Sequence, residues 1–290
     1  MSWECRSVRL RFLGLLCVLA CLLALLACSA RLGAPGAGRP TQSPLPPLQI
    51  TLVDNAGFLI NCGGKKILVD SFIRSAPGDV RTRLEQAAAP FEAVDVILTT
   101  HSHSDHFNAR MVGQYLERSP DTVFVSTMQA VDEVKKAVPA VLDQQLKPFE
   151  PQEGERLQAS FEGIALQMLN LPHGVPVTNL GFVIQVGGWK LLHTGDFVDV
   201  EDVKAYGLED EDIDVAFVPY FYLLEERFLS ADGKSPLLES IQAQHVVPMH
   251  LAVYTYDREA TLQEVAARFP DCLFFHEALE TQTVEAKGAR

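Results

Sequence analysis

The chain carries the same pattern twice, and this internal repeat limits the folds that are open to it. Residues 57–68 read GFLINCGGKKIL, and residues 181–192 read GFVIQVGGWKLL. Each copy predicts two strands joined by a tight turn, because the Gly-Gly pair supplies the positive φ angles that such turns need. The first copy leads to Asp70 and the second to Asp196. Two like halves that each deliver a carboxylate predict two β-sheets packed around a shared site.

Helical segments are predicted between the strands, at residues 109–118, 128–137 and 258–269. In the last of these, Asp257 is a candidate N-cap and Pro270 ends the helix. Its apolar residues recur at the spacing of a helix that lies on a sheet, and they are Leu262, Val265, Ala266 and Phe269. Strands and helices together place the chain in the α/β class.

A cluster of potential metal ligands follows one predicted strand. Residues 94–100, VDVILTT, form the apolar run, and residues 101–106, HSHSDH, supply three imidazoles and one carboxylate. Zinc binds neutral histidine nitrogens and carboxylate oxygens, usually four at a time. One ion cannot easily use all four groups at this spacing, whereas two neighbouring ions can. The alternative is a chance histidine-rich surface loop, and the preceding strand argues against it.

The order of the later histidines and aspartates resembles that of the metallo-β-lactamase superfamily, from about residue 48 to residue 275. After H-x-H-x-D-H, that family places a His, an Asp and a His, each at the end of a strand. Here His173, Asp196 and His250 follow apolar runs, and Asp70 matches an earlier strand-ending aspartate. The resemblance implies an α/β fold that is a four-layer αββα sandwich of two mixed β-sheets.

The resemblance also implies two divalent metal ions that share a bridging carboxylate. The first site is His101, His103 and His173, the second is Asp105, His106 and His250, and Asp196 bridges them. Asp105 is also the candidate to orient the attacking hydroxide or accept its proton. Asp70 either accepts a hydrogen bond from a ligand imidazole and fixes its tautomer, or has a structural role alone. Zinc is the first expectation for the metal, with manganese and iron as the alternatives.

Two functions follow as hypotheses. The first is a binuclear hydrolase that uses a metal-bridging hydroxide to cleave an ester, lactone, amide or phosphodiester bond. In the implied Asp bridge and in the stretches GFLI at residues 57–60 and TGDF at residues 194–197, the chain resembles the metal-dependent hydrolases and phosphodiesterases of the superfamily more than the true β-lactamases. The second is a non-catalytic metal-binding lipoprotein of the cell envelope that acts as a scaffold or sensor. The formal net charge of −13 is unfavourable for binding nucleic acid, so a small-molecule or lipid-like substrate is expected.

Candidate substrate residues are fewer and weaker. Tyr220 and Tyr222 lie in an aromatic segment after the predicted strand 215–218, and Asn179 comes shortly after His173. Either tyrosine could donate to a substrate oxygen or simply pack in the core. The histidines left outside the ligand set are predicted to pack or to lie on the surface, and they are His193, His245 and His276.

The N-terminal segment predicts export of the domain. Three arginines precede an uncharged run at residues 12–30, and LLAC at residues 25–28 resembles a bacterial lipoprotein cleavage box with Cys28 as the lipid anchor. An uncleaved single span is the alternative. The predicted parts are a signal peptide or anchor at 1–27, a Gly/Pro-rich tether at 28–47 and the hydrolase domain at 48–290. Cys62 and Cys272 are expected as buried free thiols, although an oxidising compartment permits their pairing.

Overall fold

The computed structural model describes residues 45–174, 177–251 and 257–285. The predicted signal segment, Cys28 and most of the tether lie outside the described residues. Within the described ranges, no helix has both the length and the apolar character that a bilayer crossing requires. All of these ranges belong to one compact unit, Leu45–Arg290.

The described strands form two sheets. The seven-stranded sheet contains β1 (Leu48–Asp54), β2 (Gly57–Cys62), β3 (Lys65–Val69), β4 (Val96–Leu98), β5 (Val123–Ser126), β6 (Leu146–Pro148) and β13 (Thr281–Val284). The six-stranded sheet contains β7 (Arg156–Phe161), β8 (Ile164–Asn170), β9 (Leu180–Val186), β10 (Trp189–His193), β11 (Val215–Pro219) and β12 (His245–Met249). Their orders are β13-β1-β2-β3-β4-β5-β6 and β12-β11-β10-β9-β8-β7. Both sheets are mixed, with antiparallel and parallel pairs.

Helices cover the outer face of each sheet. On the first sheet they are α1 (Gly78–Glu85), α2 (Ala109–Arg118) and α3 (Met128–Ala137). On the second sheet they are α4 (Val200–Lys204), α5 (Phe221–Leu224), α6 (Pro236–Ile241) and α7 (Arg258–Arg268). The predicted helices at 109–118 and 128–137 are confirmed, and the third ends one residue early at Arg268.

Alternation along the strands divides the apolar side chains among three buried clusters. Phe58 and Ile60 of β2 face the second sheet, whereas Leu59 between them packs against the helices. The same alternation places Phe182 and Ile184 of β9 between the sheets. Each large side chain buried in this way contributes about 1.5–3 kcal/mol to folding. The layers are therefore helix, sheet, sheet and helix, and the predicted αββα sandwich is confirmed.

The internal repeat folds as two equivalent hairpins. β2 pairs with β3 and β9 pairs with β10, both antiparallel. Each two-residue turn is a pair of glycines with positive φ, at 59° and 81° for Gly63 and Gly64 and at 58° and 89° for Gly187 and Gly188. The predicted Gly-Gly hairpins are thus confirmed, and both sheets are built from the same unit.

Parallel pairing collects strand ends at one edge of the sandwich. β3, β4 and β5 run parallel in the first sheet, and β10, β11 and β12 run parallel in the second. Residues that follow these strands therefore meet at the same edge, and the two Gly-Gly turns lie at the opposite edge. There the Trp189 indole donates to the Pro46 carbonyl at 2.8 Å, which fixes the chain where it enters the domain.

Both cysteines of the described region are free, as expected from the sequence. Cys62 is buried between the sheets, but Cys272 is only partly buried, which differs from the prediction of two buried thiols. Burial raises the pKa of the Cys272 thiol to about 12, so it stays protonated at neutral pH.

Candidate metal centre

The side chains that the sequence marks as ligands meet at the edge where the parallel strands end. They form two groups, and within each group the candidate ligand atoms all lie within 4.8 Å of one another. The first group is His101, His103 and His173, and the second is Asp105, His106, Asp196 and His250. Loops after β4, β8, β10 and β12 supply these residues, so both halves of the molecule contribute.

The first group is a triangle of imidazoles. The His101 ring centroid lies 4.7 Å from that of His103 and 4.9 Å from that of His173, and the latter two are also 4.9 Å apart. His101 is fully buried, whereas His103 is exposed and His173 is half-buried. Burial, together with the neighbouring His106, lowers the pKa of His101 to about 3. The imidazole is therefore neutral at physiological pH, which is the form that binds metal.

The second group converges on a smaller volume. The Nε2 atoms of His106 and His250 are 3.0 Å apart, and Asp196 Oδ2 lies 3.4 Å and 2.9 Å from them. Asp105 Oδ2 lies 3.2 Å from His250 Nε2. Burial acts to lower the pKa of His106, but the carboxylates of Asp196 and Asp70 outweigh it and raise the value well above the usual range. The group therefore attracts a cation, whether a proton or a metal ion.

Asp196 lies between the two groups. Its Oδ2 atom, which approaches His250 and His106, is also 4.0 Å from His173 Nε2 in the first group. Burial would raise the pKa of this carboxyl, but His106 and His250 hold it well below its usual range. The side chain is therefore an anion with imidazoles of both groups around it.

The donor atoms fit divalent metal ions. Among the described residues, His101 Nε2 and Asp196 Oδ1 are buried and have no hydrogen-bond partner. Buried polar atoms in folded proteins are nearly always paired, so two such atoms at one cluster indicate a ligand. Imidazole nitrogens with carboxylate oxygens suit zinc, and also iron and manganese.

Asp70 orients imidazoles in both groups. Its Oδ2 accepts from His106 Nδ1 at 2.8 Å and from the Thr100 hydroxyl at 2.7 Å, and its Oδ1 accepts from the Thr100 amide at 2.8 Å. Because the Thr100 hydroxyl gives its proton to Asp70, it accepts from His101 Nδ1 at 3.0 Å. Both histidines thus carry a proton on Nδ1 and turn Nε2 towards the centre.

Unusual backbone angles shape the ends of the strands. Asp70 and His250 each follow a strand with φ of 44° and 70°, in the left-handed region that non-glycine residues rarely adopt. Gly195 has a φ of 59°, and a Cβ there would lie 2.2 Å from Asn179 Oδ1. Glycine is therefore required beside Asp196. The backbone strain at Asp70 and His250 is of a kind that is common at functional sites.

The turn between β1 and β2 forms hydrogen bonds with ligand-bearing loops from both halves of the molecule. These contacts were not predicted from the sequence. The Asn55 carbonyl accepts from the His250 amide at 3.1 Å, and the Asn55 side chain donates to the Asp105 carbonyl at 3.1 Å. His193 Nε2 contacts the Ala56 carbonyl at 3.0 Å. An asparagine two residues before the repeat was the available signal, because asparagine tolerates the φ of 46° found here.

The other histidines belong to neither ligand group. His193 is fully buried and packs on Phe217, as predicted for a packing residue. His276 is exposed and pairs with Glu259 at 3.0 Å, as predicted for a surface residue. His245 opens β12 and is half-buried, at the far end of that strand from His250.

The positions of two candidate substrate residues contradict the substrate role predicted for them. Asn179 is fully buried, where its amide donates to the carbonyls of Leu171 and Thr194 and its Oδ1 accepts from the Asp196 amide. It therefore braces the loop that carries Asp196. Tyr222 is also buried, and its hydroxyl donates to the Phe197 carbonyl. Neither side chain is available to a substrate.

Tyr220 keeps a position compatible with substrate contact. It is half-buried directly after β11, and its amide donates to the Met249 carbonyl at 3.0 Å, next to His250. Burial raises the pKa of its phenol, so the hydroxyl is protonated and can donate a hydrogen bond.

Replacing Tyr222 with Phe tests this correction. We expect Tyr222→Phe to lower the free energy of unfolding by about 1 kcal/mol, because one buried hydrogen bond is lost. Urea denaturation measures that change, and steady-state kinetics should give a KM within about twofold of the wild-type value. A KM raised tenfold or more would restore a substrate role for Tyr222.

The chain is similar in sequence to known metal-dependent hydrolases. Residues 49–250 match the family model of the beta-lactamase superfamily domain. A protein of Pyrococcus furiosus named a metal-dependent hydrolase is 26% identical over 209 residues, which is 70% of this chain and 84% of that protein. One of Staphylococcus carnosus with the same name is 28% identical over 224 residues, or 72% of this chain and 87% of that protein.

Solved structures with a similar fold include both hydrolases and an oxidative enzyme. Igni18, a metallo hydrolase of Ignicoccus hospitalis, superposes with a TM-score of 0.58 at 19% identity and covers 83% of this chain and all of its own. CmlA, a diiron β-hydroxylase of Streptomyces venezuelae, gives a TM-score of 0.55 at 14% identity over 84% of this chain and 55% of its own. At these identities the likeness concerns the fold, so the chemistry must be argued from the site.

Proposed function

We propose that this chain, which belongs to the metallo-β-lactamase superfamily and is a metal-dependent hydrolase, works with two metal ions at the centre described above. The observation that carries the proposal is the position of Asp196, whose carboxylate approaches imidazoles of both ligand groups. His101, His103 and His173 would hold one ion, and Asp105, His106 and His250 the other. Zinc is the proposed metal, with manganese or iron as alternatives.

The proposed reaction is hydrolysis of an ester, lactone, amide or phosphodiester bond. Metal ions at such a site lower the pKa of bound water towards about 7 and polarise the bond under attack. Asp105 is the residue proposed to orient the attacking water and accept its proton, because its side chain retains 17% exposure while its Oδ2 reaches His250. Asp70 accepts the Nδ1 proton of His106 directly, and through the Thr100 hydroxyl it also fixes the Nδ1 proton of His101, so Nε2 of both imidazoles is free to bind metal.

The complete ligand set favours an enzyme over the non-catalytic alternative. All seven predicted side chains converge, whereas a scaffold or sensor has no need to keep every one of them. Three protein ligands on each side plus a shared carboxylate leave coordination positions for water and substrate, as in catalytic metal sites.

A location in the cell envelope is part of the proposal and rests on the sequence of the N-terminal segment. Three arginines, an uncharged run and the LLAC box support a lipoprotein anchored through Cys28, with an uncleaved single span as the alternative. The substrate would then be a small molecule or a lipid-like compound met outside the cytoplasm.

Metal analysis and a substrate panel on the same full-length sample test the proposal. We expect two zinc, manganese or iron ions per chain by native mass spectrometry and elemental analysis. We also expect turnover of a p-nitrophenyl ester or bis(p-nitrophenyl) phosphate that falls about 1,000-fold with a chelator and returns with metal, because the metal supplies several kcal/mol of the barrier reduction. Two ions without turnover would favour the scaffold or sensor, and one ion or none would refute the binuclear centre.

A further inference from the structure

The end of β11 lies between two strands that carry metal ligands. In the second sheet, β10 leads to Asp196 and β12 leads to His250, and β11 pairs with both of them in parallel. Whatever follows β11 must therefore sit beside the metal centre. The residues in that position are Tyr220 and Phe221, neither of which belongs to the ligand groups.

Phe221 presents an apolar surface against a ligand imidazole. Its ring centroid lies 6.0 Å from that of His250, at 75° between the planes. His250 is fully buried, whereas Phe221 is half-buried, so this residue beside the centre keeps part of its surface accessible to solvent. A partly accessible aromatic residue next to a candidate metal ligand offers apolar surface that a substrate can cover.

A stacked aromatic pair holds this surface in place. The rings of Phe197 and Tyr222 stack at 4.2 Å and 3°. Tyr222 also contacts Phe221 at 4.8 Å, and Val198, next to Phe197, is 56% exposed. The half-buried Phe221 thus packs on a stacked pair that belongs to the apolar cluster of the second sheet.

Apart from the proposed metal ions, the described segment that follows β11 offers no unpaired cationic side chain for an anionic group. Arg227, the first cationic side chain after β11, pairs with Glu225 at 2.7 Å and lies over the Phe228 ring at 4.5 Å. Its charge is thereby neutralised. The chain as a whole has a net charge of −13, which repels anions further.

We infer that Phe221 is a specificity residue that selects substrates with an uncharged apolar group next to the bond that is cleaved. This inference rests on the proposed hydrolase function and narrows its substrate class to apolar acyl compounds such as aliphatic esters or lactones. A substrate methylene that contacts the Phe221 ring on one side only is about half-buried. Each such methylene should therefore improve binding about twofold.

The test measures binding as well as turnover. The full-length zinc-loaded protein is titrated with aceto-, butyro- and hexanohydroxamate, which share one metal-binding group and differ in methylenes. We expect the Kd to fall about 15-fold along the series, as four half-buried methylenes at about twofold each predict. Phe221→Gln should abolish this gradient, and Phe221→Leu should keep most of it. Glutamine and leucine are similar in size but differ in polarity, so the pair of variants tests the apolar character of the side chain.

Phe228→Gln is the matched control, because Phe228 contacts Phe221 and Tyr222 within the same aromatic cluster. It should keep the wild-type gradient. A flat wild-type series, or a gradient that survives in Phe221→Gln, would overturn the inference. The matching series of p-nitrophenyl esters distinguishes a failure of the proposed function from a failure of the inference about Phe221. A hydroxamate gradient without turnover of the esters refutes the proposed function alone. Turnover that does not depend on chain length refutes the role of Phe221.

Discussion

Replacing Asp196 with Ala is expected to reduce the metal content from two ions per chain to one or none. It should also lower kcat/KM by about 1,000-fold, since the loss of an ion that contributes several kcal/mol to the transition state has an effect of this size. The physical reason is that the Asp196 carboxylate approaches His250, His106 and His173, so both ligand groups lose the anion they share. Native mass spectrometry gives the stoichiometry, and steady-state kinetics gives the rate.

Asp210→Ala is the control for this substitution. Asp210 is exposed in the same half of the chain, so its removal changes the net charge equally but leaves the centre intact. Its metal content and kcat/KM should match the wild type. If Asp196→Ala still bound two ions at wild-type affinity, the shared-carboxylate arrangement would be wrong.

Replacing Asp70 with Asn should weaken both metal sites without removing a ligand. Asparagine keeps the size of the side chain and tolerates the left-handed backbone at this position, where φ is 44°. Its amide cannot accept at once from His106, the Thr100 hydroxyl and the Thr100 amide. We expect metal affinity to fall about 10- to 100-fold, as for other residues that support ligands. Competition with a chelator of known affinity measures the change.

The same substitution should also destabilise the metal-free protein. Breaking a buried charged network costs about 3 kcal/mol, which urea denaturation can resolve. Asp95→Asn is the matched control, because Asp95 accepts from Lys65 and from the Lys66 amide at the opposite end of the same sheet, at 2.8 Å each. It should lose stability yet keep wild-type metal affinity. Equal losses of affinity in the two variants would mean that Asp70 acts through folding alone.

The fold could be predicted from the sequence because its signals are local and repeated. The Gly-Gly hairpins, the alternation around Phe58 and the helical stripe of Leu262 and Val265 each report a period that the backbone imposes. The family resemblance then supplied the pairing of sheets, which no local pattern contains. The convergence of His101 and Asp196 follows from that pairing, since parallel strands end at a common edge.

The supporting contacts could not be predicted in the same way, because they join residues that are remote in sequence. Asn55 contacts both Asp105 and His250, and a single asparagine gives no sign of either partner. Asn179 and Tyr222 failed as substrate residues for a related reason. Polarity and nearness to His173 or β11 suggested exposure, whereas the backbone carbonyls of Leu171, Thr194 and Phe197 needed buried donors.

The point where the chain enters the domain decides which way an attached molecule faces. The Pro46 carbonyl accepts a hydrogen bond from the Trp189 indole beside the Gly-Gly turns. The five-residue strand β3 spans about 17 Å from that edge to Asp70. A fusion partner or a solid support joined directly before Leu45 would therefore be attached at the edge of the sandwich opposite the candidate metal centre.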